Sequence, residues 1–264
     1  MMRKKKKDYS ENGLKINNHK GDNMIKIENI SKSYVRGKKI IDNLNLEIKN
    51  GEIFGFLGPN GAGKTTTIKM ITGILNPDQG DIFIDGKSIQ KEPLEAKKNF
   101  GFVPDSPDMF LKLKGIEYLN FLGDIYEVPT EVRKSQIKNL TKKFEIYDNL
   151  NEQIESYSHG MRQKIVICGA LLSSPKNWIL DEPMTGLDPK ASFDLKEMMR
   201  EHSQKGNTVF FSTHILEVAE KLCDRVGIIN HGKLAFVGTL DEMKAKFNEN
   251  TSLENLFLEI TENE

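Results

Sequence analysis

Apolar residues first fall into a regular pattern at Ile25. Ile25, Ile27 and Ile30 sit near alternate positions, and so do Leu44, Leu46 and Ile48. Such alternation predicts half-buried strands. The next run, residues 53–57 (Ile-Phe-Gly-Phe-Leu), is almost wholly apolar. A strand covered on both faces, in the middle of a parallel sheet, has that character. Comparable short runs recur at 178–180, 208–211 and 226–229. Between them lie stretches of helical character, at 65–75, 160–172, 190–204 and 215–222. Strands alternating with helices predict an α/β fold built on a parallel sheet.

Across 106–165 the apolar residues take helical spacing (Ile116, Leu119, Leu122, Ile125, then Ile137, Leu140, Phe144). This stretch reads as an inserted helical subdomain. Near the end, Gly232-Lys233 and Gly238 punctuate a strand over 234–237. Two short amphipathic helices follow, marked by Leu240, Met243 and Phe247, then by Leu253, Leu256, Phe257 and Ile260. The predicted organisation is a polar tail over 1–23, one domain over 24–240 and a short helical tail over 241–264. No internal repeat is visible, so the chain holds one site's worth of domain.

Charge and cysteine content narrow the partners. The formal net charge is zero, which gives the whole molecule no bias toward nucleic acid, and no nucleic-acid partner is expected. No apolar run approaches the ~18–20 residues that a membrane helix needs; the longest covers 165–172. Cys168 and Cys223 lie far apart and outside any metal-ligand spacing, which fits a reducing compartment. Residues 3–7 are basic, but no apolar stretch follows, so the start does not read as a secretory signal. The tail reads as disordered, either solvated or resting on anionic lipid. Met24 is an alternative start.

Candidate chemistry begins directly after the run at 53–57. There the chain reads Gly58-Pro59-Asn60-Gly61-Ala62-Gly63-Lys64-Thr65-Thr66, a G-x-x-x-x-G-K-T loop with a strand before it and a helix after it. Glycines let successive backbone N–H groups turn inward and form a nest for an anion. The helix start adds partial positive charge. Lys64 supplies a full positive charge to outer phosphates, and the Thr65 hydroxyl suits a Mg²⁺ ion. The loop alone predicts an NTPase without saying which.

A second motif is Asn177-Trp178-Ile179-Leu180-Asp181-Glu182-Pro183, a buried strand ending in two carboxylates. Adjacent strand residues point to opposite faces, so the two acids are free to take different tasks. Asp181 is placed to hold Mg²⁺ through water. Glu182 is placed to polarise an attacking water as general base.

Between these motifs stands Tyr157-Ser158-His159-Gly160-Met161-Arg162-Gln163-Lys164, and beyond them come Gly186-Leu187-Asp188-Pro189 and His214. Taken together, in this order over roughly 24–240, they closely resemble the ATP-binding subunits of ABC transporters. The resemblance implies a P-loop NTPase core with a parallel sheet, an antiparallel β subdomain and an inserted α-helical subdomain. It implies ATP and Mg²⁺ as cofactors and ATP hydrolysis as the activity. It also implies a head-to-tail dimer, with a second copy or a paralogue, that sandwiches two ATP molecules. A separate membrane-spanning permease would be driven by that dimer, placing the chain at the cytoplasmic face of the membrane.

The resemblance assigns roles residue by residue. Ser158 and Gly160, in the turn that matches the family signature, would face the γ-phosphate held by the opposite copy. Ser158 is also suited to cap the helix that begins there. His214 matches the switch histidine that contacts the γ-phosphate. Asp188 matches the loop that contacts the partner. Tyr34 matches the aromatic that stacks on adenine, although a tyrosine in an ordinary strand would look the same.

The chain departs from the family in two places. His159 and Met161 replace a glycine and a glutamine of the signature, while the serine and second glycine remain. Asp105 stands where glutamine is usual; it can still ligate Mg²⁺, with a shorter reach. An acid here together with a Y-S-x-G-M signature is more similar to exporters of drugs, peptides, sodium or polysaccharide. Ser106, Pro107, Asp108, Met109 and Phe110 would border a groove for the permease, although the Met109-Phe110 pair is equally explained as core of the helical subdomain. Two other readings compete with that of a transporter subunit: a soluble ABC protein acting on ribosomes or DNA, and an ATP-binding sensor that does not hydrolyse. The first usually needs two such domains or a long coiled-coil insertion; Glu182 and His214 argue against the second.

Overall fold

The computed structural model describes residues 23–35, 37–247 and 253–262. The expected tail lies outside these residues except for Asn23.

In chain order, β1 (Asn23–Val35) and β2 (Lys38–Lys49) pair antiparallel, and β3 (Ile53–Leu57) leads into α1 (Lys64–Ile71). Strands β4 (Gln79–Ile84) and β5 (Lys87–Ser88) form a small antiparallel pair, and α2 (Pro93–Lys97) precedes β6 (Phe100–Val103). Then come three helices, α3 (Gly115–Ile125), α4 (Thr130–Lys143) and α5 (His159–Leu171). The chain returns through β7 (Asn177–Leu180), α6 (Pro189–Gln204), β8 (Thr208–Thr213), α7 (Leu216–Leu222), β9 (Arg225–Asn230) and β10 (Lys233–Gly238). Helices α8 (Leu240–Phe247) and α9 (Leu253–Glu262) follow.

Two sheets result. The smaller is antiparallel, in the order β2-β1-β4-β5. The larger runs β10-β9-β3-β8-β7-β6 and is parallel except for β10 at its edge. All five residues of β3 are buried, as its apolar run predicts. One core joins the two sheets: Ile25, Ile27, Leu46 and Ile48 of the small sheet pack with Phe54, Phe56 and Phe210 of the large one and with Ile68 of α1. Phe54 and Phe210 stack at 5.9 Å. A second core lies between the large sheet and α3–α6, centred on the fully buried Trp178.

Parallel pairing decides where chemistry can gather. In register, Leu57 lies beside Thr213, Phe211 beside Leu180, and Leu180 beside Val103. The residues that follow these four strand ends are therefore neighbours, in the crevice where open α/β sheets bind ligands. They are the glycine loop after β3, His214 after β8, Asp181 and Glu182 after β7, and Asp105 after β6.

The structure differs from the sequence expectation in detail. Helix α1 stops at Ile71 instead of reaching residue 75, because Gly73 turns left-handed (φ 64°). The Thr72 hydroxyl meanwhile donates back to the Ile68 carbonyl. Strands β4, β5 and β6 and helix α2 had no clear signal. Phe110 is half exposed, and its ring lies 5.6 Å from those of Tyr118 and Phe121.

Strand β6 is seated by its glycine. A Cβ at Gly101 would lie 2.1 Å from the Ala170 carbonyl oxygen of α5, so only glycine lets strand and helix approach this closely. Gly101→Ala should cost roughly 1–3 kcal/mol through forced backbone movement. Urea unfolding would measure it; a midpoint equal to that of the parent would refute the contact.

Candidate functional site

The glycine loop is folded around its own lysine. Gly61 and Gly63 adopt left-handed backbones (φ 81° and 113°) that open the turn. Gly58 has no room for a side chain, since a Cβ would meet the Ile229 carbonyl oxygen at 2.4 Å. Lys64, almost fully buried, donates to the carbonyls of Gly58 at 2.8 Å and Pro59 at 3.3 Å. Its Nζ also lies 3.4 Å from Glu182 Oε1. A cavity of about 400 Å³ opens beside it, lined by Ile40, Asn60, Gly61, Gly63, Lys64, Thr65, Thr66, Asp105 and Glu182.

One serine organises the acids. Ser212 Oγ donates to Asp181 Oδ1 at 2.6 Å and accepts from the Glu182 N–H at 2.9 Å. Burial holds the Asp181 carboxyl above the ordinary range. Hydrogen bonds from Ser212 and Thr65 pull the other way, and the nearby Asp105 and Glu182 charges push it up further. Glu182 itself sits at a left-handed backbone position (φ 46°), which is uncommon for a residue of its size. Its second oxygen lies 3.0 Å from Nδ1 of His214.

The arrangement meets the needs of a hard dication. Thr65, Asp105 and Asp181 offer only oxygen donors, of the kind Mg²⁺ takes. The Asp105 and Glu182 charges near Asp181 add negative potential that a cation would relieve. Thr65 and Asp105 line the same cavity, and Asp181 lies beside it, held by Ser212. The donor set therefore fits such an ion.

The structure brings some candidates together and keeps others apart. Asn60, Gly61, Gly63, Lys64, Thr65, Thr66, Asp105 and Glu182 share the cavity wall. Gly58, Pro59 and Ala62 complete the loop, with the Ala62 N–H donating to Pro59. Tyr34 stands at the margin, mostly exposed, its hydroxyl 3.5 Å from that of Thr66. Ile40 lines the cavity and was not anticipated; its neighbours in β2 follow the strand alternation, and nothing in that pattern sets it apart. Ser212 was also missed, since a serine inside an apolar strand carries no motif.

Ser158, Gly160 and Asp188 form a second cluster that does not line this cavity. Ser158 caps α5, its Oγ accepting from the Met161 N–H at 3.3 Å. The backbone at Gly160 touches Gly186, where a Cβ would meet the Gly186 carbonyl at 2.8 Å. The His159 ring packs on Gly186 itself, whose left-handed backbone (φ 77°) leaves no space for a side chain. Asp188 caps α6 by accepting from the Ala191 N–H at 2.8 Å, and pairs with Lys164 at 2.8 Å. The Lys164 ammonium and that N–H hold its carboxyl below the ordinary range.

Comparison with known proteins agrees with this geometry. The family described as ABC transporter matches residues 41–185. The chain is 36% identical to the linearmycin resistance ATP-binding protein LnrL of Bacillus subtilis (strain 168), over 88% of this chain and 74% of that one. Among solved structures, an ATP binding subunit of an ABC transporter superposes with a TM-score of 0.86 at 32% identity, covering 90% of this chain and 99% of that one. A dimeric, post-hydrolysis ATP-binding cassette, MJ0796, bound to ADP and Pi, superposes with a TM-score of 0.75 at 26% identity, covering 82% and 99%. Among the described residues, no helix is long and apolar enough to cross a membrane. With a glycine loop, an acid-tipped strand and a capped signature turn in one chain, this protein belongs to the ABC transporter family, as an ATP-binding subunit whose domain hydrolyses ATP.

Proposed function

We propose that this subunit works as a head-to-tail pair, closing over two ATP molecules to drive a separate membrane permease. The observation that carries the reading is the split between its two clusters. The cavity holds Lys64 and Glu182 but not Ser158 or Gly160, although all belong to the expected chemistry. A helix start capped by serine is a ready anion site with nothing to bind in its own chain. A second copy, turned head to tail, would supply the missing phosphate.

In this reading the nest of residues 58–66 takes the phosphates, and Tyr34 with Ile40 borders the base. Thr65, Asp105 and, through water, Asp181 would hold Mg²⁺, which neutralises charge developing on the phosphates. Lys64 exchanges the carbonyls of Gly58 and Pro59 for phosphate oxygens. That exchange also frees Glu182 from its ion pair with Lys64. Glu182, kept in orientation by its main chain and by His214, then accepts a proton from the attacking water. His214 bonds the γ-phosphate, and Asp188 meets the partner near the same place. The permease would seat against residues 106–110, with the chain at the cytoplasmic face of the membrane. Export is the favoured direction, supported by Asp105, the Tyr157–Met161 signature and the resistance role named for LnrL.

Two substitutions test the assignment. Lys64→Ala should weaken nucleotide binding roughly 10- to 100-fold, the worth of a charge-assisted hydrogen bond set. Titration with a fluorescent ATP analogue reads this, and an unchanged dissociation constant would refute the loop's role. Glu182→Gln should keep ATP binding but slow phosphate release about 10²- to 10⁴-fold, and should accumulate an ATP-bound dimer on size-exclusion chromatography. Parent-like turnover would remove Glu182 as the base. A variant that stays monomeric with saturating ATP would count against the sandwich.

A further inference from the structure

Asp105 and Ser158 belong to different clusters, yet a continuous set of bonds joins their surroundings. Arg162 lies on the first turns of α5, one turn beyond Ser158. Its guanidinium spreads three donors. Nε donates to the Ile154 carbonyl at 3.2 Å, Nη2 to the Glu155 carbonyl at 2.7 Å, and Nη1 to Asp108 Oδ1 at 2.7 Å. Asp108 follows Asp105 closely in the chain. The N–H groups of Ile154 and Glu155 in turn donate to the carbonyls of Leu113 and Leu111, both at 2.9 Å. The segment leaving the cavity is thus stitched to the segment that enters the signature turn, and Arg162 closes the loop.

The stitching continues to Tyr157, next to Ser158. Its buried hydroxyl donates to the Asn149 carbonyl at 2.7 Å, in a space left by Gly115, where a Cβ would lie 2.4 Å from the Tyr157 hydroxyl oxygen. The turn before Ser158 is therefore held on one side by Tyr157 and on the other by Arg162. Of Arg162's three contacts, only Asp108 lies near Asp105 in the chain. As a source of stability the pair is weak, because the Asp108 side chain is half exposed and such pairs are worth about 0–1 kcal/mol. As a strut its effect is different, since it fixes the position of a rigid fork.

We propose that the Arg162–Asp108 ion pair is a latch that carries movement at Asp105 to Ser158. Arg162 and Asp108 are then positioning residues for the signature turn. The proposal rests on the reading of Ser158 as the group that completes a partner's site. Filling a chain's own cavity draws on Asp105, shifts the segment carrying Asp108, and sets the start of α5 for the partner's nucleotide. Two sites coupled in this way hydrolyse ATP cooperatively.

Phosphate release by the full chain across an ATP series tests the latch. Asp108→Ala leaves Arg162 its two carbonyl contacts, so the melting temperature should stay within about 2 °C of the parent. Turnover at saturation should fall roughly 2- to 30-fold, the span for coupling residues, and the Hill coefficient should approach 1. Binding of ATP analogue to the monomer should stay within about twofold, because Asp108 touches no cavity wall. Asp108→Glu should recover part of the loss. In an Arg162→Lys background, which keeps the charge but loses the fork, Asp108→Ala should have little further effect. Parent-like turnover and cooperativity in Asp108→Ala would overturn the latch, as would an undiminished effect in the Arg162→Lys background. Ser158→Ala separates the two levels: full activity there removes the reading of Ser158, whereas loss there beside an unaffected Asp108→Ala removes the latch alone.

Discussion

The mechanism proposed for this subunit rests on one buried lysine, Lys64, paired with Glu182 beside two further carboxylates. Asp105, Asp181 and Glu182 converge on a site that in this fold has Lys64 as its near cation. Crowding like charges is unfavourable, and burial makes it more so. The fold makes the arrangement tolerable by a hydrogen bond from Ser212 to Asp181 and by the contacts of Glu182 with Lys64 and His214. In the proposed reading the remaining imbalance would favour a metal ion, which supplies the positive charge that the acids and the phosphates both need. Lys64 bonds to carbonyl oxygens of its own loop, contacts that are easily exchanged for phosphate oxygens.

The sheet converts sequence separation into proximity. Residues as distant as Lys64, Asp105, Glu182 and His214 meet because four parallel strands end at one edge in register. The helices α3–α5 stand apart from that edge and carry Ser158. In the proposed reading a site divided in this manner would need two bodies to work, which would link association to nucleotide binding. The contact of His159 and Gly160 with Gly186 ties the two loops that would meet a partner, so they present one surface rather than two.

Much of this was legible in the chain itself, for physical reasons that can be named. The loop at 58–66 is legible because glycine, lysine and threonine have no substitutes in a phosphate nest. The acid pair is legible because charge at the end of an apolar strand needs a purpose. The strands at 53–57, 208–211 and 226–229 stand out because burial on both faces leaves an unbroken apolar run. What escaped was short or indirect. Strand β5 has two residues and β6 four, below the length at which periodicity speaks. Helix α1 ends early at Gly73, whose left-handed backbone closes the helix locally while the apolar spacing runs on to Leu75. Ser212 and Ile40 act through where the sheets place them, and Arg162 through contacts with the 105–108 and 154–155 segments, which no local pattern records.

The left-handed backbone of Glu182 has a further consequence. It means the main chain, and not side-chain packing alone, aims the carboxylate. Asparagine and aspartate occupy that region of conformational space more comfortably than glutamate does. Backbone comfort and the proposed role as base therefore favour different residues at this one position, and the longer acid stands there at the expense of the former.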